Sequence, residues 1–412
     1  MHLERSPGSS RLAAVAVALA AVLAQPPCAP GQEPPAKDAA SAGSALGVDL
    51  YRQFAAEDGN VFFSPYSVAE GLALLASGAE GRTRQELLSV MHWSLGPDRM
   101  PAAFADQDLM LDGAAKGGDV LTVANSLWCQ RDLAPRAAFI RTAQQAFRAD
   151  VRVADFGADL PVSQRMINYW VERKTGGKIT GLLTEGSLTP RTQLVLANAI
   201  YFKGRWERPF DSRRTAPAPF ATARGLTVMA PTMAVTGRFR TKGLDAFELL
   251  ELPYAGGSLS MAILLPRSRD GLRPIEQRLG APELSQWLAS LDAAGREELE
   301  ITLPRFKMTY AADLAKALAR LGVATAFQAG AADFSPINGR HEFFVSNVLH
   351  KAIVDVSEEG TEAAAATGVA MSAAIATPPR KFPVDHPFLF LIRDAQTGSL
   401  LFLGRVADPR TP

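Results

Sequence analysis

Five histidines, two cysteines and the adjacent glutamates Glu358-Glu359 are the residues best suited here to acid–base, nucleophilic or metal chemistry. Their spacing argues against each. The stretch "HEFFV" at His341 lacks the second histidine that a zinc-protease helix presents one turn later. No Gly-x-Ser-x-Gly elbow occurs, so the turn that exposes a hydrolase serine is not encoded. "TGGKIT" lacks the earlier glycine and the following Ser/Thr of a phosphate-binding loop. Glu358 and Glu359 would point to opposite faces of a strand and read as solvated surface charge. Cys28 and Cys129 are too few for a disulfide framework, and Cys129, in "SLWC", reads as a buried thiol. Without a nucleophile–base constellation the chain is not expected to be an enzyme, and no metal or cofactor is expected.

Two polar residues fall inside apolar strands. In "TQLVLANAIYFKGRW" a period of two puts Asn198 on the face of Leu194, Leu196 and Ile200. In "EFFVSNVLHKAIVDVSE" it aligns His350 with Val348, Ala352 and Val354. A buried amide and a buried imidazole must both find hydrogen-bond partners. By themselves they read as satisfied core groups.

The elements around them are legible. "NVFFSPYSV" is a short strand, then Ser64 at an N-cap and Pro65 at the first helical position. Thr83 followed by Glu86 predicts a capping box. "RMINYWVERKTGGKITGLL" predicts a helix ended by Gly176 and Gly177, and the long run from Gln193 a strand buried on both faces. "FELLELPYAGGSLSMAILLP" predicts a hairpin turning at Gly256-Gly257. "EELEITLPRFKM" predicts one further strand, and "DLAKALARLG" a helix stopped by Gly322. Two apolar strands around Thr397-Gly398 close the chain. The sum is α+β.

One segment resists this reading. "EEGTEAAAATGVAMSAAIATPPRKF", residues 358–382, combines an alanine run with Gly368 and β-branched residues and has no stable amphipathic face. At the other end, Arg5 and Arg11 flank the start of an apolar run from Leu12 to Ala24. Residues 1–24 read as a secretory signal peptide, too short for a membrane span. Residues 25–44, rich in Pro, Ala and Gly, read as a disordered tail. "QPPC" before and at Cys28 matches a lipid-anchor site poorly. A secreted, extracellular protein is expected, or a periplasmic or envelope-associated one in a bacterium. The formal net charge of +1, with both signs dispersed, favours neither nucleic acid nor an anionic membrane.

Nine motifs in order make the chain resemble a serpin from about residue 45 to 409. They are "NVFFSPYSVAEGLALLASGAEGRT", "INYWVERKTGGKITGLL", "LVLANAIYFKGRWERPF", "ELPYAGGSLSMAILLP", "LPRFKMTYAADLAKALARLG", "ADFSPI", "VLHKAIVDVSEEGTEAAAAT", "DHPFLFLIRD" and "LFLGRVADP". The resemblance implies a single α+β domain of about nine helices and three β-sheets. Its native state would be metastable, with residues 358–381 as hinge and exposed reactive-centre loop. After a protease cuts this loop, the family inserts its N-terminal part as a new central strand. The protease, still joined as an acyl-enzyme, is thereby distorted.

Carried onto this sequence, the hinge is Glu358, Glu359, Gly360, Thr361, Glu362, Ala363, Ala364, Ala365, Ala366 and Thr367. Alternation places Thr361, Ala363, Ala365, Thr367, Val369 and Met371 on one face, all uncharged, as entry into a packed sheet requires. Counting 14 positions from Gly360 puts the reactive bond at Ala374–Ile375. An alanine there suits an elastase-like or subtilisin-like protease. The resemblance also implies that Ser64, Ser67, Asn198 and His350 form a polar cluster where the sheet parts. Trp206 lies under the top of that opening, and Arg305 pairs with Glu358. The expected partner is a target protease, held covalently by a monomer. Arg99 and Lys116 lie far apart among acidic residues, so heparin binding is not expected. The alternatives are inhibition of papain-like cysteine proteases, or a non-inhibitory serpin acting as a binding module.

Overall fold

The computed structural model describes residues 35–115, 119–341, 343–361 and 378–411. The first half of the chain supplies α1 (Pro35–Phe54), β1 (Val61–Phe63), α2 (Pro65–Ser77), α3 (Gly81–Val90), α4 (Met100–Ala114), β2 (Val120–Gln130), α5 (Ala137–Phe147), β3 (Asp150–Ala154) and α6 (Leu160–Lys174). The middle is mostly strand: β4 (Leu194–Arg205), β5 (Ala216–Ala221), β6 (Thr227–Gly243), β7 (Phe247–Pro253) and β8 (Leu259–Pro266). Then come α7 (Leu272–Arg278), α8 (Ala281–Asp292), β9 (Arg296–Pro304), β10 (Phe306–Asp313), α9 (Ala315–Leu321) and α10 (Ser335–Asn338). The last strands are β11 (Val345–Val356), β12 (Gly360–Thr361), β13 (Arg380–Pro383), β14 (Phe388–Asp394) and β15 (Leu400–Val406). The described residues thus hold ten α-helices.

A six-stranded sheet runs β10-β11-β12-β4-β2-β3, with β11 also paired directly to β4. The other strands form a nine-stranded sheet held together by β6. One part of this long strand pairs with β7, and the rest pairs with β5 and β9. Counted as two sheets sharing β6, these strands and the six-stranded sheet make three.

The six-stranded sheet is covered on both faces. Leu194 and Leu196 of β4 join a core with Leu72 of α2. Val195, Ala197 and Ala199 join another with Ile167 and Trp170 of α6. Helix α2 lies so close that a Cβ on Gly71 would stand 3.0 Å from the Leu196 side chain. The continuous apolar run of β4 follows from this double burial.

Four sequence expectations need correction. Residues 35–44, expected as part of an irregular tail, are the first half of α1. Its small residues, among them Ala36, Ala39, Ala40 and Ala42, are buried. A Cβ on Gly43 would lie 3.4 Å from the Ala69 side chain of α2, and one on Gly47, just beyond the expected tail, 2.5 Å from Pro65, so small residues here let α1 approach α2. "EELEITLPRFKM" is two strands, β9 and β10, which break at Arg305 and enter different sheets. Thr83 and Glu86 form no capping box. Thr83 Oγ1 accepts from Asp333 N–H, and Glu86 accepts from Ala324 N–H, Thr325 N–H and the Thr325 hydroxyl. Both thereby tie α3 to a distant loop. The fourth correction concerns Glu358, described below.

Candidate functional site

The site starts at the N-terminus of α2. Ser64 is extended, and its hydroxyl accepts from Ser67 N–H at 3.1 Å, the N-cap bond that the sequence predicts. Above this cap three strands place one polar residue each in a row. Register sets Asn125 of β2 opposite Asn198 of β4, and Asn198 opposite His350 of β11.

His350 Nε2 accepts from Ser64 N–H at 3.2 Å, so Nδ1 carries the proton and donates to Asn198 Oδ1 at 2.5 Å. The Asn198 amide then donates to Ser67 O at 2.9 Å, and to Ser67 Oγ and Asn125 Oδ1 at 2.5 Å. Every member is buried. Burial holds the imidazole down at about 3, which keeps it neutral. Ser64, Ser67, Asn198 and His350 are therefore one connected group. Asn125 belongs to it too. It sits at an inward position of "TVANSL", and counting period two along that strand would have found it.

The direct β4–β11 ladder is parallel and runs from Val345↔Leu194 to Ile353↔Tyr201. Past that point β12 takes the place between the two strands. Thr361 pairs with Gly204 on one side and Val356 on the other, antiparallel to both. Thr361 is fully buried, with its hydroxyl 2.8 Å from Tyr254 OH. Gly360 has φ 150°, and a Cβ there would fall 1.9 Å from Gly204 O. Only glycine fits between the strands at that point.

Trp206 lies beside β12. It stacks on Tyr254 at 4.6 Å, and its Nε1 donates to Ser357 O at 3.0 Å. Its backbone N–H donates to Glu359 O, and that of Phe210 to Glu358 O. Glu358, expected in water, is buried. Its carboxylate accepts from the Thr215 hydroxyl at 2.7 Å and lies 3.6 Å from Arg305 Nε. Arg305 is half exposed, which keeps that ion pair within about 1 kcal/mol. Glu359 is half-buried and accepts from Ser357 Oγ. Gly204, Thr215 and Tyr254 complete the surroundings of β12 and Glu358, and no sequence signal singled them out. Glu362, Ala363, Ala364, Ala365, Ala366, Thr367, Ala374 and Ile375 lie outside the described residues.

The other histidines among the described residues are otherwise engaged. His386 spends both ring nitrogens on Asp385 and the Pro266 carbonyl. His92 and His341 are exposed and pair with Asp49 and Asp333. Burial pushes the Cys129 thiol up to about 12, which makes it a poor nucleophile. Among the described residues no group of His, Cys, Asp and Glu could hold a metal ion. No helix among them is long and apolar enough to cross a membrane.

A family model described as "Serpin (serine protease inhibitor)" matches residues 41–409. The leukocyte elastase inhibitor of Bos taurus is 37% identical over 379 residues, covering 90% of this chain and 99% of that protein. Serpin B6 of Macaca fascicularis is 36% identical, covering 85% and 93%. Among solved structures, Serpin48 of the insect Tenebrio molitor is similar with TM-score 0.81 and 30% identity, over 90% of this chain and 98% of that one. Uncleaved ovalbumin gives TM-score 0.82 at 27% identity, over 90% and 99%. On this match, spanning sequence and fold alike, the chain belongs to the serpin family of protease inhibitors.

Proposed function

We propose that this serpin is a secreted, irreversible, suicide-type inhibitor of serine proteases with small apolar specificity pockets, elastase-like or subtilisin-like, and that Ala374–Ile375 is its bait bond. The protease serine Oγ attacks the Ala374 carbonyl carbon, the C–N bond breaks and the Ile375 amine leaves with the C-terminal fragment. The ester to Ala374 persists while the freed segment enters the sheet. The chain performs no catalysis of its own.

The observation that carries this reading is β12. Two residues of the segment already occupy the slot between β4 and β11, antiparallel to both. Extending that register would pair Met371 with Leu194, so Gly360–Met371 matches the length of β4. One parallel ladder would be replaced by two antiparallel ones, which pair slightly better per residue and double the ladders. The inward positions of that run are Thr, Ala, Val and Met, which a covered sheet can admit. The 37% identity to a leukocyte elastase inhibitor supports the protease class.

Mixing the purified protein with pancreatic-type elastase, trypsin and subtilisin in turn tests this. A denaturant-stable adduct of summed mass, with a released fragment beginning at Ile375, is expected with elastase or subtilisin. Cleavage near residue 374 without an adduct, for every serine and papain-like protease tried, would refute trapping.

A further inference from the structure

Below the polar row lies a second buried cluster that the trapping chemistry does not use. Glu70, on α2, is buried beside Asn125 of β2 and Asp108 of α4, and its Oε2 has no hydrogen-bond partner. Asn125 is the same amide whose oxygen accepts from Asn198, so Glu70 lies next to the row that ends at His350. Asp108 also accepts from Tyr66 OH at 2.5 Å and lies 3.6 Å from Arg148 Nε. These side chains line a small cavity of about 190 Å³ between α2, α4, β2 and the end of α5.

Two carboxyl groups buried in contact cannot both ionise cheaply, and a proton held between them turns repulsion into a hydrogen bond. The charged and titratable groups facing the pair are few. Tyr66 faces it from α2, Asp112 from α4 and Arg148 from the end of α5, while β2 presents only neutral side chains such as Asn125. Arg148 is drawn outward by Asp112, at 2.7 Å, and is half exposed. It can offset one buried carboxylate but is poorly placed to offset two.

We propose that Glu70 and Asp108 share one proton at neutral pH, and that this protonated pair latches the β2–β4 side of the sheet to α2 and α4, so that loss of the proton loosens the sheet. The consequence for inhibition rests on the reading given above, because the β4–β11 seam is where the cleaved segment would enter. The latch itself does not depend on that reading. Burial raises Glu70 well above the usual carboxylate range and Asp108 to about 6. A carboxyl with a raised folded value binds more protons folded than unfolded. Its contribution to stability therefore falls as pH rises from the unfolded value toward the folded one.

Two measurements on the full chain test the latch. Infrared difference spectra between native protein and Glu70→Gln at neutral pH should show a carboxylic-acid C=O band that the variant lacks. Amide hydrogen exchange of the β2 and β4 segments, corrected for intrinsic rates, should lose protection by up to about tenfold per pH unit as the proton leaves. Glu70→Gln, which keeps a donor to Asp108, should hold its protection constant, and Asp108→Asn serves if that variant folds poorly. Absence of the acid band, or equal pH dependence of protection in native and variant, would overturn the proposal. Failure to trap any protease would count against the inhibitory reading and leave both results as they stand.

Discussion

Extending the β12 register leads to a specific prediction about Thr367. Thr361 pairs with Gly204 and Val356, so in an inserted strand that kept this register Thr367 would face Asn198 on one side and His350 on the other. Entry of the segment must break the Nδ1–H to Oδ1 bond between those two side chains. The Thr367 hydroxyl can both donate and accept, and so can take up the groups left unpaired. Thr367→Val keeps shape and removes that capacity. Two buried polar groups would be orphaned, at about 1–3 kcal/mol each, so the inserted form should lose roughly 2–6 kcal/mol. If half of that is felt at the insertion barrier, entry slows by roughly 5-fold to 150-fold, since 1.4 kcal/mol is tenfold. The assay is the number of inhibitor molecules consumed per elastase trapped, with the denaturant stability of the cleaved form measured alongside. Thr367→Val should raise the first and lower the second, with Thr367→Ser close to native and the uncleaved protein little changed. Equal stoichiometry and equal cleaved-form stability for Val and Thr would refute the register argument.

Other expectations follow from the same geometry. Gly360→Ala places a Cβ against the Gly204 carbonyl and should expel β12, seen as faster limited proteolysis between Glu358 and Thr361. His350 is held at about 3 when folded against 6.5 ordinarily, so below pH 6.5 the unfolded chain binds the extra proton and stability falls with falling pH. The loss attributable to His350 should reach about 2 kcal/mol by pH 5. It is read as the difference between native and His350→Gln unfolding curves, because Glu70 and Asp108 act in the opposite sense. Ala374→Arg should shift trapping from elastase to trypsin, measured as the ratio of the two inhibition rates; unchanged preference would move the bait bond elsewhere.

The sequence by itself determined most of the framework. Its turn residues, N-cap and strand periods located the end of α6 at Gly176-Gly177, the start of α2 at Ser64, the β7–β8 hairpin and both faces of β4. These are local matters of backbone conformation and side-chain alternation, readable over a few residues. The resemblance then singled out Ser64, Ser67, Asn198, His350, Trp206 and Arg305 together. Tertiary structure decided what depends on residues far apart in the chain. Alanines and glycines that read as a loose tail form half of α1, because close approach to α2 rewards small side chains. Glu86 serves a loop more than two hundred residues away in place of a helix cap. Glu358 is buried because Thr215 and Arg305 stand beside it. Asn125 joins Asn198 and His350 only through strand register, and packing of β2 against α2 and α4 sets that row beside Glu70 and Asp108. Local propensity is a property of neighbours in sequence, whereas desolvation and hydrogen-bond satisfaction are properties of neighbours in space.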